Sequence, residues 1–213
     1  CFCPPSTSVV SGTDPRNGKP YVNQLFLGHT AGAGAPREDA WMTMLHAGNG
    51  GMCFIDSVEL DEIYTPIQVK TRRLIEDSEG AGRFRGAPGI EVELRPVNCR
   101  MEVGFVADGN IHKPLGARGG GAAAKSDQFR RTRGGELERL DQCSQVWIED
   151  GEALVSIACG GGGYGDPKTR DPARVLSDVR EGLVSRNRAK NVYGVAVTET
   201  MEIDETATAA LRN

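Results

Sequence analysis

Four consecutive glycines, Gly160 to Gly163, followed by Tyr164-Gly165-Asp166-Pro167 and then Arg170-Asp171-Pro172, constrain this chain more than any other feature. A strand-like apolar run over residues 153–159 leads into them, and a helix with clear start signals leaves them. Asp171 suits the N-cap and Pro172 the first helical position, while Val175, Leu176, Val179 and Leu183 recur on one helical face. Glycines between a strand and a helix raise a phosphate loop as the first idea. The P-loop form needs Lys-Ser/Thr after its last glycine, and Tyr164-Gly165-Asp166-Pro167 stands there instead. The dinucleotide form opens its helix at the glycines, whereas Asp166-Pro167 delays it. The other reading is structural: glycines permit positive φ and a close approach of neighbouring backbone. The residues favour the second.

The same alternation of strand and glycine-rich loop recurs along the chain. Residues 7–14 and 20–27 read as a hairpin around an Asp14–Gly18 turn, followed by a glycine-rich segment over 28–41. Residues 68–75, 89–95 and 99–106 alternate as strands, and Pro114–Gly121 forms another glycine-rich loop. Residues 145–148 and 153–159 read as a final hairpin about Glu149-Asp150-Gly151. Arg130-Arg131-Thr132-Arg133, with Glu136, Glu138 and Asp141 close behind, reads as a solvated loop. Helices are expected only at 57–65, 172–183 and 185–193, and the tail after Thr198 is expected to be mobile or docked on a partner. The fold class is therefore mainly β with minor α.

A net charge of −4 argues against nucleic-acid and anionic-membrane surfaces, which need clustered Lys and Arg. No apolar run approaches the ~20 residues of a membrane helix, and the N-terminus shows no signal-peptide pattern. Six scattered cysteines without a C-x-x-C point to free thiols and a cytoplasmic setting.

The opening motif, with the helix over 175–185 and the Val192-Tyr193-Gly194-Val195 close, resembles the C-terminal signature of the hydantoinase B/oxoprolinase family. Asp77-Ser78-Glu79-Gly80-Ala81-Gly82 with Arg85-Gly86 and Gly89 also matches that family, departing at Ala87. So does Val58-Glu59 with Glu62 and Pro66. The resemblance runs over about residues 9–198, while family members are more than twice as long. It implies residues 1–198 as the C-terminal portion of a B-type subunit, with 199–213 as a polar tail. Such a chain, starting at Cys1 without Met, is expected to be a fragment, a processed product or a separately encoded subunit. The implied fold is two sheets in a barrel-like arrangement, with glycine-rich segments bundled as polyproline-II-like strands and a short helical C-terminal appendage.

The implied activity is ATP-dependent hydrolysis of a cyclic amide such as hydantoin or oxoproline, in a hetero-oligomer with an A-type subunit. A ketone carboxylase of the acetone or acetophenone type is the alternative, and a non-catalytic scaffold subunit a further one. By the same resemblance, ATP belongs to the A-type partner. A divalent metal belongs to the N-terminal portion of the B-type subunit, so neither is expected to bind this chain alone.

Three histidines are present, without an H-x-x-x-H or H-E-x-x-H pair that would mark a self-contained zinc site. His29, in a glycine-rich loop, reads as a ligand, a base or a hydrogen-bonded structural residue. His46 reads the same way and matches a recurrent family position. His112 reads as a surface residue. Glu59 and Glu62, three apart on one helix, read as acid/base carboxylates, metal ligands or a solvated face. Arg83 and Arg85 suit an anion or a structural ion pair. Cys159 beside Gly160 reads as a strand-end nucleophile or a buried thiol.

Overall fold

The computed structural model describes residues 8–28, 31–41, 45–46, 51–52 and 55–212. Eleven strands and four α-helices are present among them. Strands β1 (Ser8–Thr13) and β2 (Pro20–Leu25) form the expected antiparallel hairpin. A short pair, β3 (Leu45–His46) and β4 (Gly51–Met52), precedes helix α1 (Val58–Tyr64). Then follow β5 (Ile67–Leu74), β6 (Ile90–Pro96), β7 (Met101–Val106), β8 (Asp127–Arg131), β9 (Leu137–Arg139), β10 (Cys143–Ile148) and β11 (Ala153–Ile157). Helices α2 (Pro172–Arg180), α3 (Arg186–Asn191) and α4 (Glu205–Arg212) close the chain.

The strands make two open antiparallel sheets, ordered β10-β7-β1-β2 and β5-β6-β11-β8-β9, and not a closed barrel. One apolar core joins them: Val10, Leu25, Met101, Val103, Phe105 and Ile148 from the first sheet meet Ile67, Ile90, Val92, Leu94 and Leu154 from the second. Alternation along β6 and β7 puts these side chains on one face, as period-two patterning requires.

The expected 145–159 hairpin does not form. β10 pairs with β7 in one sheet and β11 with β6 in the other, so the turn between them is a corner. Positive φ at Gly151 (85°) and Asn98 (56°) lets both ribbons bend there, and the Asn98 amide donates to Asp150 Oδ1 at 3.2 Å. The basic run at 130–133 is likewise no free loop. Arg130 and Arg131 lie on β8, where they pair with Glu138 of the adjacent β9 and with Glu93 of β6, one strand beyond β11. Charge pairing across the sheet hides the strand from composition, because the consecutive Arg130 and Arg131 break the apolar–polar alternation of a half-buried strand.

The three expected helices form where their caps stand. Ser57 accepts from the Leu60 amide, Asp171 from Ala173 and Ser185 from Arg188. The polar tail is ordered on this chain as α4. The Thr208 hydroxyl accepts from the Ala196 amide, and Arg212 donates to the carbonyls of Arg170 and Tyr193. No helix among the described residues is long and apolar enough to cross a membrane.

Candidate functional site

The glycine run sits at the centre of a bundle of chain segments. The Gly161 amide donates to Ala87 and the Gly163 amide to Gly121, while the carbonyls of Gly161, Gly162 and Gly163 accept from Gly80, Gly34 and Ala117. None of the four has positive φ. Close approach is what requires them: a Cβ on Gly162 would lie 2.1 Å from the Leu115 carbonyl oxygen, and one on Gly163 2.0 Å from that of Ala81. With the Gly161 and Gly163 amides engaged and neighbouring backbone about 2 Å from any added Cβ, the run is packed against other segments of the chain.

Around the bundle lies a buried ion network. Arg170 donates to both Asp39 oxygens, at 2.7 and 2.9 Å, and to Asp178 Oδ2 at 2.9 Å. Arg85 meets Asp178 Oδ1 at 2.8 Å, which gives that side chain the structural ion pair foreseen as one option. Burial works to raise the Asp39 carboxyl, but the two arginines hold it below its ordinary range. Arg83 and Arg174 lie over the ring of Phe84, at 5.7 and 5.9 Å. On the other flank, Glu79 is 1% exposed and accepts from Arg188 at 2.8 Å and from the Tyr193 hydroxyl at 2.9 Å. Burial pushes the Glu79 carboxyl up against the pull of Arg188 and Tyr193. Cys159 is buried in the core, away from solvent and from any reagent.

The remaining candidates part company. His29 lies outside the described residues, and His46 is placed only as a residue of β3, with its side chain outside them. Glu59 is exposed in the first turn of α1, where the Ser57 hydroxyl donates to it at 2.7 Å and lowers its pKa. Glu62 Oε1 accepts from the Val69 amide at 2.8 Å, which ties it to β5. So the helix does not present Glu59 and Glu62 as a working pair. Among the described residues, no three His, Cys, Asp or Glu side chains gather at a metal-holding position.

A carboxylate the spacing did not single out stands in the cleft beside α1. This cleft, of about 500 Å³, runs between β2 (Tyr21 to Gln24) and α1, with Asp56 and Asp61 in its lining. Asp61 is 7% exposed, and its Oδ2 has no hydrogen-bond partner. Burial, helped by the neighbouring Asp56 charge, pushes the Asp61 carboxyl up to about 6. Its signal in the sequence was an acidic residue in the first turn of a capped helix, a place where exposure is the ordinary outcome.

A family model for hydantoinase B/oxoprolinase matches residues 3–167. The chain belongs to that family. The caprolactamase beta subunit of Pseudomonas jessenii is 34% identical over 209 residues, which cover 95% of this chain and 36% of that protein. A putative D-/L-hydantoinase B-type subunit of a Pseudomonas strain is 30% identical over 159 residues, covering 73% of this chain and 26% of that protein. The crystal structure of ATP-dependent caprolactamase from P. jessenii superposes with a TM-score of 0.78 at 26% identity, over 97% of this chain and 37% of that one. This hydantoinase B-family chain thus spans about a third of the length of these relatives.

Proposed function

We propose that the chain is part of the B-type subunit of an ATP-dependent cyclic amide hydrolase and works with an A-type subunit. One observation carries the reading: 34% identity with the caprolactamase beta subunit extends over 95% of the chain, glycine bundle included. In this division of labour the A-type subunit handles ATP, and the metal sits in the portion of the B-type subunit that this chain does not span. The chain itself supplies a rigid scaffold. Its interior ion pairs and glycine contacts fix backbone positions, and fixed elements hold reacting groups better than loops do.

The test is a chimera in which this chain replaces the matched third of the caprolactamase beta subunit, coexpressed with an A-type subunit. ATP-dependent ring opening of caprolactam, hydantoin and oxoproline is followed by product mass and phosphate release. Ring opening by the chimera supports the reading. Carboxylation of acetone with bicarbonate, without ring opening, replaces it with the ketone carboxylase reading. An assembled chimera doing neither leaves a scaffold subunit only.

A further inference from the structure

Helix α1 packs Val58 against the core but turns its other apolar side chains outward. Its buried residue is Asp61, while Leu60, Ile63 and Tyr64 are 52%, 62% and 73% exposed. An amphipathic helix on a finished surface shows the reverse arrangement. Across the cleft, Val22 of β2 is 76% exposed.

Among the described residues β2 is also an edge strand with no partner on its outer side. The Phe26 amide donates to Asp56 Oδ2 at 2.6 Å and its carbonyl accepts from the Asp56 amide at 3.0 Å, so this residue faces away from β1. Backbone direction alternates along a strand, so Val22 and Gln24 present their N–H and C=O groups to the same side. No described residue engages those groups. A free edge beside an outward-facing apolar helix is the geometry in which an added strand docks, with backbone bonds on one wall and side-chain contacts on the other.

We propose that the groove between β2 and α1 takes an extended strand from the part of the B-type subunit that this chain does not span. The proposal rests on the functional reading above. The relatives carry nearly two thirds of their length beyond the matched region, and that polypeptide has to pack on some face of this unit. A second copy of the chain fits poorly, because symmetric pairing of β2 edges brings Asp56 and Asp61 towards their own copies. The two carboxylates favour a Lys, an Arg or another donor at the position of the incoming strand that faces Asp61.

Hydrogen exchange at the Val22 and Gln24 amides tests this. In the isolated chain both should exchange as free amides, and in the chimera at least about 100-fold more slowly. The double variant Val22→Pro/Gln24→Pro removes only the outward donors, since edge strands tolerate proline there. It should keep the melting temperature of the isolated chain within a few degrees and lose the protection in the chimera. Fast exchange in both contexts overturns the proposal, as does slow exchange in the isolated chain that relaxes on dilution, which marks a second copy. If the chimera does not fold, the amides aligned with Val22 and Gln24 in the native caprolactamase beta subunit are measured instead, and fast exchange there overturns it equally. Protection without ring opening sinks the functional reading alone, and ring opening with exposed amides sinks the docking strand alone.

Discussion

Arg170 and Asp39 lie 131 positions apart and share two hydrogen bonds, of 2.7 and 2.9 Å, with the arginine side chain only 2% exposed. The same guanidinium holds Asp178 on α2, and its backbone carbonyl accepts from Arg212 on α4. One residue thus joins the glycine-rich segment near the start of the chain to both ends of the helical appendage.

Replacing Arg170 by Ala should destabilise the fold by about 3–5 kcal/mol, because it leaves Asp39 and Asp178 near each other with a partner removed. Arg170→Lys restores the charge but not the planar fork, and should recover less than half of the loss. Urea unfolding of the two variants measures both. A change below about 1 kcal/mol in the alanine variant contradicts the network's role.

Gly163→Ala and Gly182→Ala separate close approach from backbone conformation. The first puts a Cβ 2.0 Å from the Ala81 carbonyl oxygen, and the second meets nothing within 4 Å but sits at φ 69°. The expected losses are about 3 kcal/mol or more at Gly163 and about 1–2 kcal/mol at Gly182. Thermal unfolding gives the order, and equal losses refute the steric account. Adding ATP should not alter the difference.

Asp61 gives a pH dependence of definite sign. Its folded pKa of about 6 lies above the ordinary 3.8, so the native state binds more protons than the unfolded chain between those values. Stability should therefore fall as pH rises from about 4 to about 6, by roughly 1–2 kcal/mol after allowing for water in the cleft. Asp61→Asn removes that component of the slope. Melting temperatures of both proteins across this range decide it: parallel profiles rule the mechanism out.

Removing residues 205–213 should lower the melting temperature. It deletes α4, the Thr208 cap on Ala196 and the Arg212 bonds to Arg170 and Tyr193. Arg212→Ala alone should cost on the order of 1 kcal/mol. A truncated chain that melts at the same temperature makes α4 a passive appendage.

Much of the local structure was legible because its signals are local. Ser57, Asp171 and Ser185 mark helix starts wherever the chain goes, since a cap needs only the next few amides. The alternation of β6 and β7 and the first hairpin are equally local. The family was legible for a related reason: a glycine that meets another backbone at about 2 Å admits no side chain, so the packing imprints itself on the residue string.

What the residue string by itself determined is thus the first hairpin, the β6 and β7 alternation, three capped helices and the family. Only the tertiary structure decided that β10 and β11 enter different sheets, that Arg170 joins Asp39 to Asp178, and that α1 buries Asp61 while exposing Leu60 and Ile63. The physical reason is one of range. Strand partners and buried ion pairs are chosen by elements distant in sequence, through contacts that no local propensity records. The face a helix buries depends on what it packs against, and here α1 sets Val58 against the core while Leu60, Ile63 and Tyr64 stay exposed.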